Sequence, residues 1–138
     1  TLLIEATLAE AGTQRRMEME PVSRHFGDFL LRDNRQEAYA LFVTPFLHLN
    51  VISDFRGRKQ MLYYSSDGEQ CINGMKIIPL NTAELKNIIA NSMTYDQLYP
   101  IFECAHQNNE PPKTWYENNI MRSLQPKKTS TGILGTLF

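Results

Sequence analysis

A carboxylate stands inside an apolar segment near the start of the chain. Glu5 lies in the run Leu3-Ile-Glu-Ala-Thr-Leu8, whose other residues favour a buried strand. An ionised carboxylate removed from water costs on the order of several kcal/mol unless it is paired, hydrogen-bonded or bound to a metal. Glu5 therefore requires a partner, and we expect that partner further along the chain.

Three polar residues downstream have the spacing of one helix face. Gln14, Glu18 and His25 are separated by four and seven residues, which places them in a narrow stripe on a helix. If this helix packs across the first strand, Glu5 faces Glu18. Two converging carboxylates favour either a shared proton or a hard divalent cation that takes oxygen ligands.

Arginines flank this stripe at positions 15, 16 and 24. The guanidinium groups of Arg15, Arg16 and Arg24 could bind phosphates, through two parallel hydrogen bonds where the geometry permits. A cation beside arginines suits a phosphodiester substrate, so the cation is preferred over the shared proton. Two other interpretations stay open: Glu5 could form a salt bridge with Arg15 or Arg16, and the polar stripe could be a solvated helix face or, at His25, part of the core.

Composition limits the classes of protein that fit this chain. Its 138 residues, 42% of them apolar, suffice for one globular domain, and its net charge of −1 gives no overall attraction to nucleic acid or membrane. No apolar stretch approaches the roughly 18 residues of a membrane span, so no membrane partner is expected. Cys71 and Cys104 lie far apart without metal-ligand spacing, which suits a reducing cytosol.

Strands alternate with helices along the chain, which favours an α/β fold with a mixed sheet flanked by helices. The first strand is expected to be central and covered on both faces. Strands are predicted over 1–8, 37–44, 61–64 and 74–80, and helices over 13–31, 47–59, 81–92, 94–106 and 114–124. One domain over 1–124 and a loose, polar tail over 125–138 complete the prediction.

Local signals mark several helix ends. Thr13 is the expected N-cap of the first helix, which Pro21 could divide into two shorter helices. Asn81 and Thr94 are each followed three residues later by Glu or Gln, so we expect both to be N-caps, the second with a full capping box. His48 and His106 are expected to be structural, and Trp115, Tyr116 and the tyrosines near Tyr95 are expected to be core residues. The basic run Arg56 to Lys59 is expected to be a solvated helix end that could contact DNA backbone.

The polar residues of the first segment resemble those of a known family. The pattern Glu5-Ala-Thr-Leu, then Gln14, then Glu18-Met-Glu-Pro-Val-Ser-Arg-His25 resembles the catalytic region of AlwI-like type IIS restriction endonucleases and related nicking endonucleases. The resemblance is sharp over 3–25 and weaker through the strands YALFVTPF and IIPL. It implies a restriction-endonuclease-like PD-(D/E)XK core, Mg²⁺-dependent hydrolysis of DNA with Mn²⁺ as a substitute, and a bacterial cytoplasmic setting.

The resemblance also implies roles for individual residues. Glu5 resembles the second acidic metal ligand of the family, and the backbone carbonyl of Ala6 would be the neighbouring ligand. The first acidic ligand should precede Glu5 by one hairpin, so we expect a fragment whose natural N-terminal part is missing. Such a fragment could fold like the nuclease core and still be unable to cut.

One position departs from the wider superfamily. Thr7 stands where a Lys is usual, so another residue must activate water or stabilise charge. Glu18 and His25, with Gln14 beside them, are the candidates, and Glu18 is also a candidate metal ligand. Met19 replaces a Gly of the family pattern, without an evident reason.

The partners implied are double-stranded DNA and a separate recognition domain or second subunit, with a dimer as a further option. A near-neutral domain is consistent with delivery to DNA by another domain, because non-specific phosphate binding requires a strongly basic surface. The competing hypothesis is a non-catalytic interaction or DNA-binding domain whose glutamates form structural ion pairs with arginines.

Overall fold

A computed structural model describes residues 2–8, 11–33 and 38–125, and for residues 11–20 and 33 it describes the backbone alone. In chain order the elements are β1 (Leu2–Ala6), α1 (Ala11–Asp33), β2 (Tyr39–Thr44), α2 (Leu49–Gly57), a 3₁₀ turn (Arg58–Gln60), β3 (Leu62–Tyr64), β4 (Cys71–Asn73), β5 (Ile77–Asn81), α3 (Thr82–Ala90), α4 (Tyr95–Gln107), α5 (Pro112–Tyr116) and a π-helical turn (Glu117–Met121). The predicted α/β architecture is confirmed. The predicted tail lies outside the described residues except for Gln125.

Within the described ranges, three parallel strands form the main sheet, in the order β1-β2-β5. The central strand is β2, whose six residues are all buried. The prediction that β1 is central and covered on both faces is wrong, because β1 is an edge strand of the described sheet and Ile4 is 52% exposed. Pro79 is compatible with β5 because this strand pairs on one side only within the described residues, so its missing N–H can face outward.

Two cores lie on the two faces of the sheet, because successive side chains of β2 point to opposite faces. On one face Leu41 and Val43 pack with α4, α5 and the π-helical turn, and Trp115 is among the most buried residues. On the other face Ala40 and Phe42 pack with α1 and β4. The sheet therefore separates α1 and β4 from the C-terminal helices.

Helix α1 crosses one face of the sheet without interruption. Val22, Phe26 and Leu30 recur every four residues, are buried and form the stripe that packs on β2. The helix begins at Ala11, so Thr13 is not its N-cap. Pro21 lies inside the helix and does not divide it, although a proline there removes one backbone hydrogen bond.

A two-stranded antiparallel ribbon, β3–β4, is separate from the main sheet. The sequence prediction assigned strand structure to 61–64 but placed β4 in a polar loop. The ribbon packs on α1 at Gly27, where an added Cβ would lie inside van der Waals distance of the Tyr63 ring. The Tyr63 hydroxyl donates to Asp28 Oδ1 over 2.8 Å, which also ties the ribbon to α1.

The predicted helix ends are confirmed where they depend on local contacts. Thr94 forms the capping box with Gln97 at the start of α4. Asn81 occupies the N-cap position of α3, but its Oδ1 accepts from the Leu47 N–H over 2.9 Å instead of capping the helix. Within the described ranges, no helix combines the length and apolarity needed to cross a membrane.

Candidate functional site

The first strand and α1 bring two of the predicted site residues together. Leu3 and Glu5 point to the same face of β1, because side chains alternate along a strand. Leu3 packs with the core that contains Val22 and Phe26 of α1. Glu5, two residues further on, is therefore directed towards the same helix.

Glu5 finds its partner in His25. The Nδ1 atom of His25 lies 3.1 Å from Oε1 of Glu5, within hydrogen-bonding distance. The two side chains are 52% and 30% exposed, His25 being the more exposed. His25 is thus not a core residue, and the pair is accessible to a ligand. Oε2 of Glu5 makes no hydrogen bond to the residues that the structure describes.

The backbone beside Glu5 adds an oxygen on the outer side of the strand. The Thr7 N–H donates to the carbonyl of Val43 in β2 over 3.0 Å. The Ala6 carbonyl and the Thr7 N–H belong to the same trans peptide group and point in opposite directions. Because the N–H points to β2, the carbonyl of Ala6 points away from β2. Within the described part of the chain no strand pairs with β1 on that side.

The Glu5 carboxylate and the Ala6 carbonyl could supply part of the ligand set of a hard divalent cation. A carboxylate and a backbone carbonyl are the ligands that Mg²⁺ and Mn²⁺ prefer, and Mg²⁺ usually keeps several waters. Among the described side chains, no group of three or more His, Cys, Asp or Glu residues is close enough to hold a metal. The described residues can therefore supply some ligands of such a cation, and the predicted metal set stays a prediction.

The comparison with protein families decides the class of this chain. Residues 1–88 match the family described as AlwI restriction endonuclease, which is more than half of the chain. The chain belongs to the AlwI restriction endonuclease family. The predicted resemblance is confirmed, and the matched segment contains β1, α1, β2, the β3–β4 ribbon and β5.

A solved structure supports the same fold. The chain is similar to the small subunit (R.BspD6I2) of the heterodimeric restriction endonuclease R.BspD6I, with a TM-score of 0.57 and 19% identity. The match covers 84% of this chain and 57% of that subunit, so the chain spans little more than half of its relative's length. None of the curated protein sequences matches significantly. Family and fold together support a role related to DNA endonucleases of restriction systems.

Other predicted site residues of this AlwI-family chain lie on the same helix as His25. The backbone of α1 carries Gln14, Arg15, Arg16 and Glu18, whose side chains lie outside the described atoms. Their approach to Glu5 stays a prediction. Arg24 immediately precedes His25 in α1 and is exposed.

Two residues of the basic run at the end of α2, Arg56 and Lys59, are held by contacts to the C-terminal segments, so the prediction of a solvated helix end is wrong for them. The Arg56 guanidinium lies over the Trp115 ring, 5.1 Å from its centroid, and donates to the carbonyl of Asn108. Lys59 donates to the carbonyl of His106 over 3.2 Å and to the side chain of Asn109. Burial lowers the pKa of Lys59, and the positive charge of Arg56 lowers it further.

The remaining histidines, His48 and His106, lie at the N-terminus of α2 and in α4. His48 is the N-cap of α2, where its Nδ1 accepts from the N–H of Asn50 over 3.1 Å. Burial lowers the pKa of His106, and the nearby Lys76 and Lys59 lower it further. Neither histidine is part of the Glu5–His25 pair.

Sequence reasoning missed the contribution of the β3–β4 ribbon to this side of the molecule. Tyr63 and Arg58 lie next to Arg24, around a cavity beside α1. The sequence signal that could have indicated this packing is Gly27, because a glycine inside a helix often marks close approach of another segment.

Proposed function

We propose that this chain is the catalytic domain of a metal-dependent DNA endonuclease of the type IIS restriction or nicking kind. The observation that supports the proposal is the contact of His25 with Glu5 on β1, which is an edge strand among the described residues. A partly exposed carboxylate beside an imidazole and an outward carbonyl is a suitable arrangement for phosphodiester hydrolysis. Family membership supplies the expected reaction.

Each residue near β1 has a role in the proposed site. Glu5 and the Ala6 carbonyl would hold Mg²⁺ or Mn²⁺, with Glu18 as the candidate third ligand. The metal, when bound, would lower the pKa of a coordinated water and offset negative charge on the phosphate. His25 holds Glu5 through Nδ1, which leaves Nε2 to hydrogen-bond a water or a phosphate oxygen.

Double-stranded DNA is the proposed substrate, positioned through Arg15, Arg16 and Arg24. Gln14 would assist by hydrogen-bonding a water or phosphate oxygen near Glu18. The chain's net charge of −1 favours delivery to DNA by a recognition domain or second subunit. The similar small subunit belongs to a heterodimeric enzyme, which supports a second subunit here.

A structural ion pair is the second candidate. His25 could serve only to neutralise Glu5, and the domain would then be a non-catalytic interaction or DNA-binding module. The same 3.1 Å contact is compatible with this interpretation. Metal binding discriminates the two, because a purely structural pair does not require a cation.

The test is calorimetric titration of Mn²⁺ into the chain, alongside Glu5→Gln and Glu18→Gln. Glu117→Gln is the matched control, because Glu117 is exposed and lies in the π-helical turn, on the opposite face of the sheet from α1. We expect saturable binding in the wild type and in Glu117→Gln, and its loss in Glu5→Gln with an unchanged thermal melt. Absence of binding in the wild type, or full binding in Glu5→Gln, would contradict the proposed metal site.

A further inference from the structure

A cavity of about 200 Å³ lies between α1 and the β3–β4 ribbon. Its lining combines two arginines with apolar side chains, and includes Ser23, Arg24, Arg58, Met61, Leu62 and Tyr63. Glu5 and His25 do not line it, and neither does any acidic residue of the described chain. The cavity is therefore distinct from the Glu5–His25 pair, although both lie beside α1.

Arg58 has hydrogen-bonding capacity that the described residues do not use. A guanidinium carries five N–H donors. The Nη1 of Arg58 lies 2.8 Å from Sδ of Met61, which is a weak acceptor. Its Nε is shielded from solvent and has no hydrogen-bond partner among the described residues. A ligand with strong acceptor oxygens would satisfy this side chain better than its present neighbours do.

The apolar side chains that line the cavity limit the classes of ligand that would fit it. Met61 and Leu62 are 44% and 52% exposed, so the cavity that Arg24 and Arg58 line also has an apolar wall open to solvent. A small inorganic anion would leave this apolar wall uncovered, and an apolar peptide would leave the unused N–H donors of Arg58 without an acceptor. A sugar–phosphate unit matches both parts, since its phosphate binds guanidinium and its deoxyribose offers C–H groups.

The cavity is held close to the Glu5–His25 pair. Arg24 and His25 are consecutive in α1, so their side chains leave the same helical turn about 100° apart. One reaches Glu5 and the other lines the cavity. Gly27 allows the Tyr63 ring to pack directly on the helix, and the Tyr63–Asp28 hydrogen bond fixes the ribbon there.

We propose that Arg24 and Arg58 form a phosphate site for the DNA backbone beside the scissile phosphate, with Met61 and Leu62 against the adjoining sugar. The inference rests on the proposed function in taking DNA as the ligand. It does not require a metal, because the site acts through guanidinium charge and apolar contact. Arg58 is a positioning residue that would orient the DNA strand.

The test is the binding of a short fluorescent DNA duplex, followed by anisotropy in the presence of a chelator over a range of salt concentrations. Arg58→Gln is compared with Arg122→Gln, because Arg122 is also exposed to solvent in part but follows the π-helical turn. We expect Arg58→Gln to weaken binding at low salt by about tenfold and to reduce the salt slope by about one. Arg122→Gln should retain the wild-type affinity and slope.

A spectroscopic measurement keeps the test independent of folding effects. The Arg58 Nε–H signal is assigned in ¹⁵N spectra as the one that is missing from Arg58→Lys. Addition of DNA to the wild type should shift this signal. An unshifted signal, wild-type binding by Arg58→Gln, or no DNA binding by the wild type at low salt would overturn the phosphate site. If the wild type binds no Mn²⁺ but still binds DNA in an Arg58-dependent way, the proposed nuclease function is overturned and the phosphate site stands.

Discussion

His25 and Glu5 are twenty residues apart in the sequence, yet Nδ1 of the imidazole lies 3.1 Å from Oε1 of the carboxylate. The contact joins an edge strand to the long helix that packs across it. Both side chains retain solvent exposure, and exposed pairs of this kind typically contribute less than about 1 kcal/mol to folding. The pair is therefore expected to add little to the stability of the fold, so its effect on stability and its proposed role at the site can be measured separately.

The first prediction separates these roles with a double-mutant cycle of Glu5→Gln and His25→Gln. In urea denaturation followed by circular dichroism, we expect a coupling energy below about 1 kcal/mol. In a plasmid-cleavage assay with Mg²⁺, Glu5→Gln should lower activity by roughly a hundredfold or more. A coupling energy of several kcal/mol would identify a structural pair instead.

The second prediction concerns the attachment of the β3–β4 ribbon to α1. Gly27→Ala places a Cβ against the Tyr63 ring, and we expect a loss of about 1–3 kcal/mol in the free energy of unfolding. Gly57→Ala is the control, since an added Cβ there meets nothing within 4 Å, and it should leave stability unchanged or raise it by up to about 1 kcal/mol. In the double variant Gly27→Ala/Tyr63→Ala the clash should be absent, so its loss of stability should be smaller than the sum of the two single losses. A loss equal to that sum would contradict the contact between Gly27 and Tyr63.

The third prediction concerns the capping box at the start of α4. Thr94 accepts from the N–H of Gln97 over 3.3 Å, and the Gln97 side chain accepts from the N–H of Thr94 over 3.0 Å. Thr94→Ala should lower the free energy of unfolding by about 1 kcal/mol, whereas Thr94→Ser should keep it close to the wild-type value. Thermal melts measure both, and equal losses in the two variants would argue against the hydroxyl as the cause.

The fourth prediction concerns the single tryptophan of the chain. Trp115 is buried, and its Nε1–H donates to the carbonyl of Ala105 over 2.7 Å. Trp115→Phe leaves that carbonyl without its partner, so we expect a loss of about 1–3 kcal/mol in the free energy of unfolding. Tyr64→Phe, at an exposed ring in β3, should change stability by less than about 0.5 kcal/mol. Equal stability of the two variants by circular dichroism would contradict the buried hydrogen bond.

The fifth prediction is a pH dependence that centres on Glu103. Burial opposes ionisation of this carboxyl, but hydrogen bonds from Lys76 and the Tyr39 hydroxyl outweigh it and hold its pKa below the usual 4.5. Since the folded-state pKa is depressed, Glu103 stabilises the fold above pH 4.5, and this contribution is lost as the pH falls through the lowered pKa.

We therefore expect Glu103→Gln to be less stable than the wild type at neutral pH, with a difference that shrinks as the pH falls below 4.5. Urea denaturation at a series of pH values measures this difference. Glu117→Gln, at an exposed position, should show no such trend. A difference that grows towards acid pH would contradict the assigned hydrogen bonds.

Local signals in the sequence were sufficient where a helix end is made by neighbouring residues. Thr94 was predicted as a capping box because Gln97 follows it at the required spacing, and both hydrogen bonds are present. Asn81 has a similar local pattern, yet its side chain binds the backbone of Leu47, which is distant in sequence. The sequence could not reveal that competing contact.

Burial on the sheet was harder to predict. The apolar run of β1 resembles a fully covered strand, but coverage depends on which segments pack on each face, and β1 is an edge of the described sheet. β4 was missed because Cys71-Ile-Asn73 is short and its two outer residues are exposed. β4 is recognisable only from its pairing with β3 and from the contact of Tyr63 with Gly27, and both depend on the tertiary structure.

The sequence by itself determined the family, the α/β class and the identity of Glu5 and His25 as candidate site residues, because residue types at fixed spacing carry that information. The tertiary structure decided that these two side chains meet, that Arg56 and Lys59 donate to backbone carbonyls distant in sequence, and that Arg58 and Arg24 line the same cavity. Such contacts depend on how segments distant in sequence pack against one another, and that packing is not encoded in the spacing of nearby residues.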